Sequence, residues 1–210
     1  MMKLYSMPRS GNCYKVAWLL RLLKQSHDMV TTSILDGSTK KPAFLSKNPA
    51  GQVPLLELED GRFLSESNAI MLYLAETSSS QNHNSNLIPQ EDAYQRGKLY
   101  QWLFYEQYSH EPAIAVRRAN VIFDRPCDAD TMQKLLDKGH NALQVMEEQL
   151  GQTRFLVGDT FSLADISLYA YTHVAHEGEF DMKRFPHVQD WLKRIQELPG
   201  YHDMSILEEL

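Results

Sequence analysis

Ser10-Gly11-Asn12-Cys13 sets a hydroxyl and a thiol three residues apart, where a short apolar stretch gives way to a helical pattern. A strand-to-helix turn aims backbone N–H groups and the positive end of the helix dipole at one point, a setting that favours a thiolate. In a C-x-x-C redox motif the first cysteine takes this place; here Ser10 does. A serine cannot supply the thiolate, but it can donate a hydrogen bond to one that a ligand brings. Serine is also a favoured helix N-cap, so this stretch alone leaves both roles open.

Gln52-Val53-Pro54 lies between the turn Asn48-Pro49-Ala50-Gly51 and an apolar strand pattern. An X-Pro bond adopts cis at a cost of only about 0.5–1 kcal/mol. A cis bond here would turn the Val53 N–H and C=O outward, where an extended peptide can pair with them as an added strand. A plain turn proline is the simpler alternative. Ser65-Glu66-Ser67-Asn68-Ala69-Ile70 opens a further helix: Ser65 can cap it, Ser67 presents a hydroxyl, and its first N–H groups converge on one spot. A carboxylate bound there gains from the amides and the dipole, while Glu66 can take an adjacent ammonium. A zwitterionic amino-acid head meets both needs. An ordinary capped helix with an acidic first turn fits the same residues.

The first third of the chain reads as the scaffold for these stretches. Residues 3–7 are apolar-leaning and stop at Pro8, as a buried strand would. Val16, Leu19, Leu20 and Leu23 recur at helical spacing over 11–24. Val30, Thr31, Thr32 and Ile34 favour extended backbone over 29–35. A short helix is expected over 42–47. Residues 53–58 and 62–64 flank Glu59-Asp60-Gly61, whose Asp-Gly marks a hairpin. A helix over 66–75 carries Ala69, Ile70, Leu72 and Tyr73 on its apolar face. The expected order is β-α-β-α-β-β-α.

Residues 78–86 are rich in Ser, Asn, Gln and His without periodicity and read as a linker. Strand signals then largely stop, and helical patterns cover 91–119, 129–150, 163–177 and 185–196. Ser162-Leu163-Ala164-Asp165 is a capping box with Asp at the third helical position, and Phe161 and Ile166 sit where a hydrophobic staple packs. The contrast predicts an α/β plus all-α chain, with one domain over 1–78 and an all-helical domain over 88–210.

Bulk properties narrow the classes. Of 210 residues, 43% are hydrophobic and 23% charged, a globular composition. The formal charge of −6 argues against the basic face that nucleic acid or an anionic membrane requires. No apolar run approaches the roughly 20 residues that cross a bilayer, and MMKLYSMPRSGN lacks the apolar core of a signal peptide. Cys13 and Cys127 provide no disulfide framework, so a reducing, cytoplasmic setting is expected. His173 and His176 stand at i, i+3 without a third ligand pattern, and no metal is expected.

The run from Asn48 to Leu74, NPAGQVPLLELEDGRFLSESNAIMLYL, resembles the glutathione-site segment of cytosolic glutathione transferases. The spacing from Ser10 through Val53-Pro54 to Glu66-Ser67 is similar to that family too, as is FLVGDTFSLAD over 155–165. The resemblance spans nearly the whole chain. It implies a thioredoxin-like N-terminal domain, an all-helical domain that helps hold the second substrate, glutathione as cosubstrate, and a homodimer.

The resemblance also implies residue roles. Ser10 matches the hydroxyl that activates the thiol in serine-type classes. Ser10 with Asn12 also resembles bacterial members with a hydroxyl-x-Asn pattern, some of which reduce disulfides with glutathione. Val53, followed by Pro54, matches the residue whose backbone pairs with the cysteinyl part. Glu66 and Ser67 match the γ-glutamyl contacts, and Gln52 with Lys40 or Lys41 lies where the glycyl end is held. Tyr105, Tyr108 and Arg117 fall on the long helix that lines the second-substrate pocket, with Met7 and Arg9 as further pocket candidates. Aligned on Cys13, the catalytic position of tyrosine-type classes falls on Ser6. Tyr5 is one residue off, and strand alternation turns it to the opposite face. Tyr5 is therefore expected to pack, and Cys13 to be a small buried residue.

The implied reaction is attack of glutathione thiolate on a small electrophile. A thiol of pKa about 8.5 needs about 2.7 kcal/mol of preferential stabilisation to fall two units. A charge-assisted hydrogen bond contributes roughly 1.5–3 kcal/mol and a helix dipole about 0.3–1, so Ser10 and its helix suffice. Glutathione-dependent reduction of a disulfide or peroxide is the nearest alternative. A non-catalytic interaction protein of the same fold is a more distant one.

Overall fold

Short apolar stretches alternating with helix signals close into one mixed sheet. In the computed structural model, which describes residues 1–78 and 87–208, β1 (Met2–Ser6) runs parallel to β2 (His27–Thr31). On its other side β1 pairs antiparallel with β3 (Leu55–Glu57), and β3 with β4 (Phe63–Ser65), giving the order β2-β1-β3-β4. The helices of this region are α1 (Gly11–Leu22), α2 (Pro42–Leu45) and α3 (Ser67–Ser78). The order matches the expected one. β2 lies earlier than the 29–35 pattern, because pairing in register with β1 sets Met2 against His27 and ends at Thr31.

Strand pleating sends successive side chains to opposite faces. Tyr5 joins Phe44 and Leu55, with Val30 and Val53 packed against them. Leu4 and Leu56, cross-strand partners, are fully buried, as are Cys13, Val16, Leu19 and Leu20 of α1 and Ile70 and Met71 of α3. α1 and α3 pack together. The Asp60-Gly61 hairpin forms as read: Gly61 takes φ 84° and Leu58 N–H donates to the Arg62 carbonyl at 2.8 Å.

The chain divides into two units, Met1–Asn84 with Pro199–Leu210, and Ser85–Leu198. The helical domain expected over 88–210 thus gives up its last residues to the first unit. The cause lies on α1, where Tyr14 and Trp18 are buried and their polar groups need acceptors. Tyr14 Oη donates to the His202 carbonyl at 2.6 Å and Trp18 Nε1 to the Gly200 carbonyl at 2.9 Å. Tyr201 meets the Trp18 ring edge-on at 5.7 Å, and Ile206 and Leu207 are buried. The linker read over 78–86 lies, apart from Ser78, outside the described residues.

The second unit is helical: α4 (Ala93–Tyr105), α5 (Glu111–Ile122), α6 (Ala129–Leu150), α7 (Leu163–Thr172) and α8 (Pro186–Gln196). The single helix expected over 91–119 is interrupted by a π-helical segment, Glu106–His110. Pro112 explains it: proline has no N–H and its ring crowds the carbonyl four residues back, so a wider turn relieves the conflict. The helix expected over 163–177 ends at Thr172 and gives way to a 3₁₀ turn, Ala175–Gly178.

The capping box is present. Ser162 donates to Asp165 Oδ2 from its N–H at 2.9 Å and from its hydroxyl at 3.0 Å. Asp165 Oδ1 accepts from Leu156 N–H at 3.0 Å and from Trp191 Nε1 at 2.9 Å, tying the head of α7 to a loop and to α8. Phe185 offers α8 no side-chain cap. Buried Glu147 of α6 substitutes, accepting from His187 N–H at 3.0 Å and Val188 N–H at 2.9 Å.

Candidate functional site

The head of α1 is built around a sharp turn. Arg9 takes φ 64°, strained for a residue with a side chain, and Ser10 N–H returns to the Met7 carbonyl at 3.3 Å. Ser10 then adopts extended backbone (φ −86°, ψ 115°) and its Oγ accepts from Cys13 N–H at 3.3 Å. The N-cap role is therefore real. In that bond Ser10 is the acceptor and its hydroxyl proton is not consumed, although the hydroxyl also lies against the Cys13 side chain, so the cap does not by itself exclude the donor role.

Asn12, in the same turn, reaches α3. Ser67 Oγ donates to Asn12 Oδ1 at 3.2 Å, bringing the heads of α1 and α3 side by side. Glu66, immediately before α3, takes φ 67° and is exposed, while Ser67 is buried. Two left-handed residues that are not glycine thus stand at the two helix heads. Such strain clusters where a backbone is held for function.

The Val53–Pro54 bond is cis. Val53 is half-buried against the Tyr5–Phe44–Leu55 cluster, and among the described residues its N–H and C=O form no backbone hydrogen bond. Gln52 is exposed, with its carbonyl held by Asn48 Nδ2 at 2.9 Å. Lys40 is exposed and its ammonium donates to the Ala50 carbonyl at 3.1 Å. The approach requires Gly51 (φ 60°), where a Cβ would lie 2.7 Å from Lys40 Nζ and 2.9 Å from the Thr39 carbonyl. Lys41 is exposed at the start of α2. Met7 is buried, and its N–H donates to Cys13 Sγ at 3.4 Å.

The two groups set aside in the sequence are occupied elsewhere. Tyr5 Oη donates to Glu57 Oε2 at 2.6 Å and accepts from Lys47, and its ring meets Phe44 edge-on at 6.0 Å. Burial pushes the Cys13 thiol up to about 11, so it is held as an inert neutral thiol. Sequence reasoning passed over Lys15, which is 0% exposed on α1 and donates to Asn68 Oδ1 at 3.4 Å. A lysine on a helix ordinarily marks the solvent face, so no signal distinguished this one.

The remaining candidates belong to the second unit. Tyr105 and Tyr108 line a groove of about 420 Å³ with Ser109, Pro112, Leu135 and Val145. Tyr108 is 88% exposed, whereas Tyr105 donates to the Ala142 carbonyl at 3.2 Å and burial pushes its hydroxyl up to about 12. Arg117, expected at a pocket wall, is instead a buried clamp. It donates to the Gly178 and Met132 carbonyls at 2.7 Å each and to Glu179 Oε2 at 2.5 Å, which fixes its guanidinium inside the unit. No cluster of His, Cys, Asp and Glu suited to a metal occurs among the described residues. Nor is any helix among them long and apolar enough to cross a membrane.

A mixed four-stranded sheet with a serine-capped first helix, a cis X-Pro bond before β3 and an appended helical unit defines a thioredoxin-like two-unit class. Comparison with known proteins makes this specific. The profile described as "Glutathione S-transferase, N-terminal domain" matches residues 4–82, and "Glutathione S-transferase, C-terminal domain" matches residues 100–199. The chain belongs to the glutathione S-transferase family. A glutathione S-transferase from Pseudomonas fluorescens Pf-5 is similar in structure, with TM-score 0.90 and 46% identity over 97% of this chain and 98% of that one. Glutathione S-transferase F13 of Arabidopsis thaliana is 30% identical over 97% of this chain and 94% of its own length. Ure2p in complex with S-hexylglutathione superposes with TM-score 0.86 and 25% identity, covering 95% of each chain.

Proposed function

We propose that the chain binds glutathione in its first unit and activates the thiol for attack on a small electrophile. The observation that carries this reading is the Ser67–Asn12 hydrogen bond, which sets two helix heads side by side. The head of α3, with Ser67 and Glu66, suits the γ-glutamyl carboxylate and ammonium. The outward N–H and C=O of Val53, before cis Pro54, suit the cysteinyl backbone. Lys40, Lys41 and Gln52 lie toward the glycyl carboxylate, and Ser10 with Asn12 faces the thiol. That a similar protein forms a complex with S-hexylglutathione supports the assignment.

Titration calorimetry tests it directly. Wild-type protein is expected to bind glutathione at millimolar concentration or below. Ser67→Ala should weaken binding about tenfold, the worth of one hydrogen bond to a charged group. No binding by wild type, or an unchanged affinity in the variant, counts against the site. A panel of an aryl halide, an organic peroxide and a small disulfide then distinguishes conjugation from reduction.

The proposal extends to a homodimer, the commonest closed symmetry. Exposed aromatic side chains favour it: Phe63 on β4 and Tyr94 and Phe104 on α4 remain 38%, 72% and 72% accessible. Light scattering at micromolar concentration is expected to give about twice the chain mass; a monomer with full activity would exclude it.

A further inference from the structure

Asn12 and Lys15 stand one helical turn apart on α1 and share a face. They meet consecutive residues of α3: Ser67 with Asn12 at 3.2 Å, and Asn68 with Lys15 at 3.4 Å. The heads of the two helices are thus joined by a pair of side-chain bridges, the second made by an ammonium. Lys15 is fully buried between Tyr14 and Val16, themselves fully buried. Lysine is almost never found in that state without a specific partner, because dehydrating the charge costs several kcal/mol. A methionine would fill similar volume without the cost. Packing therefore does not account for lysine here; its polar partners do, and Asn68 is the one that ties it to the head of α3.

The charge also reaches the head of its own helix. Burial raises the Cys13 thiol, and against it act the Ser10 hydroxyl, the Met7 N–H and, to the smallest extent, the Lys15 charge, which thus reaches the turn that carries Ser10 and Asn12.

We infer that Lys15 is a positioning residue that locks the first turn of α3 to the first turn of α1 and so couples the two ends of the glutathione site. The inference rests on the glutathione reading above. Holding Asn68 fixes the turn that presents Ser67 and the α3 amides to the γ-glutamyl group. Through the Ser67–Asn12 bridge the same restraint fixes the turn from which Ser10 donates to the thiol. Loss of the ammonium loosens both ends at once.

The test uses Lys15→Met in the full chain, with glutathione and S-methylglutathione as ligands for calorimetry. The thiol pKa of bound glutathione is read from ultraviolet absorbance against pH. Lys15→Met is expected to weaken both ligands about tenfold and to raise the bound thiol pKa by about half a unit or more. A lysine that only filled space would leave both readouts unchanged on replacement by methionine, and that result overturns the inference alone. Should Lys15→Met not fold, Asn68→Ala removes the other end of the same bridge. It is expected to weaken both ligands, and unchanged affinities there overturn the inference equally. Wild-type protein that binds neither ligand overturns the glutathione reading and the inference with it.

Discussion

Ser10→Ala and Ser10→Gly are each expected to lower kcat/KM toward a reactive aryl halide by about a hundredfold, the effect of deleting one donor to a developing anion. Both should also raise the pKa of bound glutathione. The pair is informative because Ser10 caps α1 through the Cys13 N–H and, in the proposed reading, also donates to the glutathione thiolate. Alanine at an N-cap costs about 1 kcal/mol of stability, whereas glycine costs only a few tenths. If both variants lose activity alike while only alanine loses stability, the loss belongs to the missing donor. Cys13→Ala should leave activity unchanged, since its thiol is buried and held neutral. Tyr5→Phe should do the same, because Glu57 and Lys47 already engage the hydroxyl. A rise in thiol pKa in Tyr5→Phe alone would reverse the assignment.

The largest loss of stability is expected at Asp165. Asp165→Ala strands the N–H groups of Leu156 and Ser162, the Ser162 hydroxyl and the Trp191 indole, all buried. Each buried donor left unpaired costs about 1–3 kcal/mol, so a total of about 4 kcal/mol is a low expectation, readable from a urea transition. Its pH dependence has a counterpart nearby. Burial pushes the Asp165 carboxyl up from 3.8 to about 6, and holds the His173 imidazole down from 6.5 to about 4. At Asp165 the folded chain binds more protons than the unfolded one across that interval, so acidification adds stability. At His173 it binds fewer between pH 6.5 and 4, so the same acidification removes stability. The two effects oppose, each worth about 3 kcal/mol over its full range. His173→Phe is therefore expected to tolerate acid better than wild type, gaining about 3 kcal/mol relative to it between pH 7 and pH 4. A constant gap between the two proteins over that range would count against the buried neutral imidazole.

Much of the first unit was legible because its signals are local. Val-Pro before an apolar stretch permits a cis bond at small cost, and Asp60-Gly61 names its turn. The box from Ser162 to Asp165 is likewise written within one helical turn. What escaped depends on tertiary partners. Lys15 looks like any helix-surface lysine until Asn68 is brought to it. Arg117 looks like a pocket residue until the Gly178 carbonyl and Glu179 close around its guanidinium. The left-handed backbone at Arg9 and Glu66 leaves no mark in residue type, since neither is glycine or asparagine. The cap and the proposed thiol-donor role of Ser10 were readable only as alternatives, because both ask for the same side chain, and the choice between Ser10 and Asn12 as donor stayed open.

The return of residues 199–208 to α1 has a consequence for how the protein is made. Tyr14 and Trp18 leave the ribosome 188 and 182 residues before their acceptors at His202 and Gly200. Between those moments synthesis adds the whole helical unit, which at typical elongation rates takes roughly ten seconds or more. Throughout that interval the sheet can assemble, but on one face of α1 two large aromatic side chains lack the carbonyl acceptors and the Tyr201 ring that residues 200–202 supply. The nascent first unit therefore presents a sticky surface that closes only once residues 199–208 have been made. Translation stalled before residue 200 would leave a product with every proposed ligand contact present and its first helix unsealed, the kind of surface that chaperones hold and proteases find.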